Sequence, residues 1–399
     1  MTDSSSPREI IVHVFGRTDV GRTREHNEDS FVVAELTTMN ATLQPEVREH
    51  RPGERGSLFM VADGMGGAAA GEVASQMATE VVLEELDVSW RHSDTTDPDA
   101  FALTLRHAVE AANTRIHRYA LDHPENRGMG TTTTVAGILG DTLYLCQVGD
   151  SRGYLVRNGV AIQVTKDQSL VQRLIDAGEL TAEEAELSER RNIILQALGP
   201  EPQVKVDLTT QVVRRGDTLV VCSDGMSGQM RPVDIARIVT EQAPDLMNTC
   251  KALIDLANEN GGPDNITVIT ARFEGDGLAP ASASDFVGHQ PYVSPAEQRA
   301  TMPVSAAMVE ESLKDAALME MSLITTAETE VPVAPNHESA AAGGTSGARA
   351  TKPMAPDPVE PDPVASFAPK LSVAQLRLIF GGLTVLVAAW LAWVYLLKG

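Results

Sequence analysis

Residues 57–75 read SLFMVADGMGGAAAGEVAS. An apolar run over 57–62 stops at Asp63-Gly64, a turn rich in glycine and alanine follows, and good helix formers continue from 71 to 86. One Asp-Gly after a strand is first of all a turn, because these residues supply the backbone conformations a hairpin needs. The arrangement recurs, however. LCQVGDSR ends its apolar run at Asp150 and TLVVCSDG at Asp224-Gly225; GGPDNITVI mirrors the order with Asp264-Asn265 ahead of a strand, and Glu28-Asp29 stands before FVVA. Acidic positions at five strand ends can meet at one rim of a sheet, and carboxylates gathered there repel one another unless cations neutralise them.

Outward from that stretch, the pattern predicts strands near 10–17, 30–34, 57–62, 132–139, 142–148, 153–158, 204–212, 217–222 and 266–272. Helices are expected at 71–86, 99–123, 169–177, 181–187, 231–241 and 245–259. The strands fall into hairpin-spaced groups and the long helices into pairs. That predicts an α+β fold of antiparallel sheets covered by helices, instead of the regular alternation of a parallel sheet.

Oxygen ligands without a nearby His or Cys suit Mg²⁺ or Mn²⁺ better than zinc. A two-metal site of that kind performs hydrolysis, acidifying a shared water and holding the attacking oxygen and a phosphate in line. Arg24, in TDVGRTREHNEDS, precedes Glu28 by four residues and offers a planar fork for phosphate oxygens; the plain alternative is an exposed surface arginine. GMGGAA from Gly64 also fits a dinucleotide-binding pattern, but Asp63 would aim a carboxylate at the pyrophosphate, and no second strand ends in an acid at the expected distance. Neither a P-loop nor a zincin motif is present.

The 399 residues carry 32 basic and 55 acidic side chains, a net charge of -23. A surface for nucleic-acid phosphates would have to be built against that field, so a nucleic-acid partner is excluded, whereas divalent cations are attracted. Three scattered cysteines, Cys146, Cys222 and Cys250, rule out a disulfide framework and read as small buried hydrophobes. The N-terminal MTDSSSPREI has no apolar stretch of the signal-peptide kind, which predicts a domain that is not secreted.

Six blocks in order, TREHNEDS, VADGMGGAAAGEVAS, MGTTTTVA, VGDSRGYLVRNG, VCSDGMSG and GGPDNITV, resemble the metal-dependent protein phosphatase 2C family in its bacterial branch. The resemblance covers residues 10–274. It implies a four-layer α-β-β-α sandwich, two antiparallel sheets flanked by helices, that hydrolyses phosphoserine and phosphothreonine in proteins with Mn²⁺ or Mg²⁺. By motif, Asp63 bridges two metals and the Gly64 carbonyl helps bind one. Asp224 and Asp264 hold the other, Glu28 and Asp29 stand at the second metal through water, and Arg24 binds the phosphate. Asp150 matches a position that, with Asp224, helps bind a weaker third metal. The segment 166–198 matches the family's flap beside the site, associated with substrate choice. From its residues alone it is two short helices joined at Gly178, with Thr181 as N-cap.

The expected chemistry is direct hydrolysis, a metal-bridging hydroxide attacking phosphorus in line with no phosphoenzyme. One departure concerns the leaving group. Eukaryotic members usually carry DGHGG, and Met65 stands at the histidine position here, so the general acid is unassigned between His26 and a metal-bound water. A phosphoprotein-binding scaffold with a degenerate site and a small-molecule phosphohydrolase are the rival readings.

After residue 274 the composition changes. Residues 275–377 are rich in Ala, Pro, Ser and Glu and hold 12 of the 22 prolines, which predicts a linker too poor in apolar residues to offset its ordering entropy. As a flexible coil, about 95 residues span roughly 55 Å. Within it, residues 304–324 have a broken apolar stripe that suits a helix formed on contact with a partner. Residues 378–397, LIFGGLTVLVAAWLAWVYLL, carry no charge and would make a helix roughly 30 Å long. With residues 1–9 as a polar tail, the expectation is a single-pass membrane protein whose catalytic domain faces the cytoplasm. Its partners would be phosphorylated proteins, a membrane-associated Ser/Thr kinase and its substrates.

Overall fold

The computed structural model describes residues 9–41, 49–66 and 70–294. In chain order they form strands β1 (Ile11–Asp19), β2 (Asp29–Glu35), β3 (Glu49–His50) and β4 (Ser57–Met65), then helices α1 (Ala70–Leu86) and α2 (Pro98–Asp122). Strands β5 (Gly130–Thr131), β6 (Thr133–Leu139), β7 (Thr142–Val148), β8 (Arg152–Arg157) and β9 (Val160–Gln163) follow, with the short helices α3 (Leu170–Asp176) and α4 (Ala182–Glu186) after them. The described chain continues through β10 (Asp207–Val212), β11 (Thr218–Cys222), α5 (Asp224–Ser227), α6 (Pro232–Gln242), α7 (Leu246–Glu259) and β12 (Ile266–Glu274).

The strands build two antiparallel sheets, ordered β3-β1-β12-β11-β8-β9 and β10-β7-β6-β4-β2, with β5 paired to the end of β4. The two-residue period of a strand sorts their side chains into layers. On β4, Leu58, Met60 and Ala62 join the apolar faces of α1 and α2. Phe59 and Val61, between them in sequence, point to the other side and pack with Val14, Val221 and Ile269 between the sheets. Val220, Cys222 and Val268 then meet α6 and α7 on the far face. The result is the expected α-β-β-α order. Each fully buried Leu, Phe or Ile in these layers stabilises the fold by about 1.5–3 kcal/mol, and all three cysteines are buried and unpaired with one another.

Helix boundaries follow local chemistry. Asp97 caps α2, whose first residue is Pro98, and Asp245 caps α7 by accepting from Asn248 N (3.1 Å). The predicted helices at 71–86, 99–123, 231–241 and 245–259 match α1, α2, α6 and α7 to within a residue. The two-residue strands β3 and β5 and the four-residue β9 were not anticipated, because such short segments carry no periodicity of their own. Residues 224–227, expected to turn, form the single helical turn α5.

The composition change at 275 marks the end of the last strand but not of the packed chain. Residues 275–294, assigned by composition to the linker, run back along the free edge of β10, where Pro291 bridges Thr209 and Tyr292 N donates to Leu208 O (2.8 Å). A sheet edge presents unpaired main-chain groups, and a proline can lie against it because only some residues need donate. The tail before Glu9, the rest of the linker with its helix candidate at 304–324, and the apolar run 378–397 lie outside the described residues. Among the described residues no helix is long and apolar enough to cross a membrane.

Candidate metal centre

The acidic strand ends converge where both sheets open at one end of the sandwich. Asp29 and Asp63 stand directly opposite each other on β2 and β4. Asp150 follows β7, Asp224 opens α5 just after β11, and Asp264 precedes β12. Although Asp29 belongs to one sheet, its Oδ2 accepts from Ser223 Oγ (2.8 Å) and Thr267 Oγ1 (2.6 Å) of the other, so the two sheets are tied together at this rim. Its Oδ1 is buried with no hydrogen-bond partner. Arg24 Nη2 donates to Asp264 Oδ2 at 2.7 Å, the one ion pair to any of the six candidate carboxylates among the described residues.

The electrostatics are those of negative charge held without enough compensation. Asp29, Asp63, Asp150 and Asp224 lie deep among protein atoms, whereas Glu28 and Asp264 stand nearer to solvent. Burial, then repulsion from Asp29 and Asp224, pushes Asp63 well above the usual carboxylate range. Asp29 is raised to about 7 by burial, although the hydroxyls of Thr267 and Ser223 work against the rise. Burial and then Asp224 bring Asp150 to about 8; Asp224 is raised by burial and Asp264, and Glu28 by burial. Such shifts mark a place where a cation would release a large electrostatic cost.

The donor set fits Mn²⁺ or Mg²⁺. All candidate side-chain ligands are carboxylates, and the orphaned Asp29 Oδ1 is a hard oxygen without a partner. Among the described residues, no three acidic, His or Cys side chains close on one point as a cage. A donor set made only of oxygens suits an ion that keeps several waters and takes one or two carboxylates, unlike a structural zinc site.

Close packing explains the glycines. A Cβ on Gly64 would stand 2.2 Å from Gly71 O and 2.4 Å from Glu28 O, and one on Gly225 would stand 2.0 Å from Asn265 O. Gly64 N also donates to Glu28 O (3.1 Å). The glycine of the dinucleotide-like pattern thus faces the protein's own backbone, which leaves no approach for a pyrophosphate at that atom.

Sequence reasoning missed the residues that hold the ligands. Asn265 is buried and clamps the loop carrying Arg24: its Nδ2 donates to Val20 O (3.0 Å) and His26 O (2.9 Å), and its Oδ1 accepts from Glu28 N (2.8 Å). Ser75 Oγ donates to Glu28 O (2.6 Å), and Thr131 Oγ1 and Thr132 N donate to Asp63 O (2.8 and 2.9 Å). The threonine run was visible, but spacing cannot show which hydroxyl faces which carbonyl. His26 is exposed at the rim, so it stays available as a proton donor.

The flap is built as its residues predict. Ser169 caps α3, and Thr181 with Glu184 forms a capping box on α4. Gly178 takes φ +71° between them. At its base, Gln168 exchanges two hydrogen bonds with Gly149 (2.8 and 3.0 Å), the residue before Asp150. The flap's place beside the rim, which the residues alone did not give, follows from these bonds.

A two-sheet sandwich with a carboxylate rim and one arginine at its edge defines a metal-dependent phosphohydrolase class. The protein phosphatase 2C profile matches residues 46–263. The chain is 37% identical over 259 residues to the serine/threonine phosphatase stp of Listeria monocytogenes, covering 65% of this chain and 94% of that one. It is 37% identical over 263 residues to the serine/threonine protein phosphatase PstP of Mycobacterium tuberculosis, covering 66% of this chain and 45% of that one. Its fold is similar to a solved PstP catalytic domain in complex with two manganese ions, with a TM-score of 0.54 at 35% identity, covering 66% of this chain and 99% of that one. The chain belongs to the protein phosphatase 2C family and, with it, is a serine/threonine protein phosphatase.

Proposed function

We propose that this protein hydrolyses phosphoserine and phosphothreonine in proteins with Mn²⁺ or Mg²⁺, in opposition to a membrane-associated Ser/Thr kinase. The observation that carries the reading is the rim itself, where Asp29, Asp63, Asp150 and Asp224 repel one another and Asp29 Oδ1 has no partner. Asp63 and the Gly64 carbonyl, with Asp224 and Asp264, would hold two ions. Glu28 and Asp29 would act through water, and Asp150 with Asp224 would take a weaker third. Bound there, the metals supply an acidified water and charge that polarises phosphoryl oxygens.

The chain's own residues do the rest. Asn265 and Ser75 hold the Glu28 main chain and Thr267 the Asp29 carboxylate, so the rim is kept from rearranging as charge develops, which is how a preorganised site lowers a barrier. Arg24 spends one donor on Asp264 and keeps others in its fork for phosphate oxygens, orienting phosphorus toward the water. With Met65 at the motif position, proton delivery to the leaving alkoxide falls to His26 or to solvent at the rim.

Chelation tests the metal dependence. Turnover of a phosphothreonine peptide should vanish in excess EDTA and return on adding back Mn²⁺; turnover that persists in EDTA overturns the reading.

Residues 378–397 would tether the domain to a membrane, where the effective concentration of a membrane-bound substrate rises without new contacts. Deleting 378–399 should move the protein from the membrane to the soluble fraction of a cell lysate. Unchanged fractionation would refute the tether.

A further inference from the structure

After β12 the chain turns back and lies along β10 in the opposite direction. Thr210 N donates to Gln290 O (2.9 Å) and Tyr292 N to Leu208 O (2.8 Å), and beyond the end of β10 Arg215 N donates to Ala279 O (2.9 Å) beside a parallel bridge to Pro280. Side chains fasten it at both ends. Asp285 forms a two-bond pair with Arg214 (2.9 and 3.0 Å), and His289 Nε2 lies 2.7 Å from Asp207 Oδ2. The Tyr292 hydroxyl donates to Asp99, and its ring stands edge-on to Tyr144 at 6.1 Å. A solvated linker would form none of these bonds.

The strand it covers is the one by which the chain leaves the flap. Lys205, two residues before β10, joins the flap's two ends: its N donates to Gln196 Oε1 (2.8 Å) and its carbonyl accepts from Gln168 Nε2 (3.1 Å). Asp207 is in register with Gln147, whose Oε1 accepts from Lys166 N at the start of the flap (2.9 Å). The flap has little core to hold it in place. Of its described side chains, Ser169, Ala185 and Leu198 are buried, whereas Leu187 is 87% exposed. A segment with so few buried contacts takes its position from its base. On the flap helix α3, hydrogen bonds from Lys166 and then Gln172 hold the Asp176 carboxyl below its usual range.

We propose that residues 279–292 form a latch for the flap, with His289 as its positioning residue: seated on Asp207, it fixes the base of 166–198 and so sets affinity for a phosphorylated polypeptide without touching the chemistry at the rim. The proposal rests on the phosphatase reading above. It separates two functions that share one domain. A small aryl phosphate meets only the rim, whereas a polypeptide must also lie against the flap. Because the chain continues from Ser294 toward the linker, whatever binds that linker would act on substrate choice through this latch.

The test compares full-length wild type with His289→Ala and Asp207→Ala, on a phosphothreonine protein and on p-nitrophenyl phosphate, both with Mn²⁺. In each variant KM for the phosphoprotein should rise about tenfold, an ordinary coupling between neighbouring sites, with kcat unchanged and both constants for p-nitrophenyl phosphate unchanged. The double variant should be no worse than either single one, since both break the same contact. Tyr292→Phe, which removes a single hydroxyl from the same segment, should give a smaller rise in the same direction and guards against misfolding of the first two. Constants for both substrates that fall together with melting temperature would reduce the segment to a structural role and overturn the latch. So would an unchanged phosphoprotein KM. If wild type hydrolysed neither substrate, the phosphatase reading would fail first and the latch with it.

Discussion

An Asp63→Asn protein should fold normally and turn over a phosphothreonine peptide at least about a thousandfold more slowly than wild type, a loss of roughly 4 kcal/mol of transition-state stabilisation. The backbone at this position is held independently of the carboxylate, by Thr131 Oγ1 and Thr132 N on Asp63 O and by the β2–β4 ladder. Asparagine keeps the shape of the side chain and removes its charge. Asp63 also lies amid Asp29, Asp224, Asp264 and Asp150, all of which disfavour its ionised form. Removing that charge relieves repulsion in the metal-free protein, so thermal melting in EDTA should show no loss of stability. Mn²⁺ titration by calorimetry should show the metal affinity gone. Unaltered turnover in the variant would refute the role given to Asp63.

The second large effect lies at the other end of β11. Arg157 and Asp217 form a two-bond pair, Nε to Oδ1 at 2.9 Å and Nη2 to Oδ2 at 2.6 Å, with side-chain exposures of 6% and 1%. Arg157 Nη2 also donates to Val212 O, and Arg214 N to Asp217 Oδ2. Asp217→Ala would leave a guanidinium buried without its counter-charge. That should cost about 3–5 kcal/mol of unfolding free energy in urea titration and lower the melting temperature by on the order of 10 °C. Replacing both residues with apolar ones of similar volume, Arg157→Met with Asp217→Leu, should recover most of the loss, because the cost comes from the orphaned charge more than from the missing attraction. Below the melting transition kcat should be unchanged, since five residues of strand separate Asp217 from the rim. A loss under about 1 kcal/mol for the single variant would overturn this account.

Both effects depend on burial, and burial divides what could be read in the chain from what could not. Asp63, Asp150, Asp224 and Asp264 were legible because each borders an apolar run, the first three at its end and Asp264 ahead of it, and repetition of a local pattern survives without knowledge of the fold. Long helices were legible for the same reason: α1, α2, α6 and α7 are periodic over many residues and their caps are local. Asn265 stood in the same quoted motif as Asp264, but nothing local distinguishes an asparagine that clamps a distant loop from one that ends a turn. Ser223 and Thr267 are ordinary strand-end residues until the sheets stack and bring them onto Asp29. Asp217 and Arg157, 60 residues apart, likewise carry no mark of their pairing.

The composition change near 275 is the instructive case. Proline-rich, weakly apolar sequence predicts a chain that cannot build a core, and residues 275–294 build none of their own, although Leu278 is buried in the core between the sheets and Val287 packs against it. They are held by an edge that already exists, through main-chain bonds to β10 and the contacts of Asp285, His289 and Tyr292. The amino-acid sequence by itself determined antiparallel sheets covered by helices, the oxygen-rich metal chemistry and the acidic strand ends, because these rest on period, charge and turn residues within short windows. The four-layer sandwich was implied by the resemblance of six ordered motifs. Only the tertiary structure decided which hydroxyls and amides lock those carboxylates, where the flap stands, and that the chain beyond β12 returns to its base. These are contacts between residues tens to hundreds of positions apart, and a hydrogen bond acquires its value only once folding has removed the water that would otherwise satisfy it.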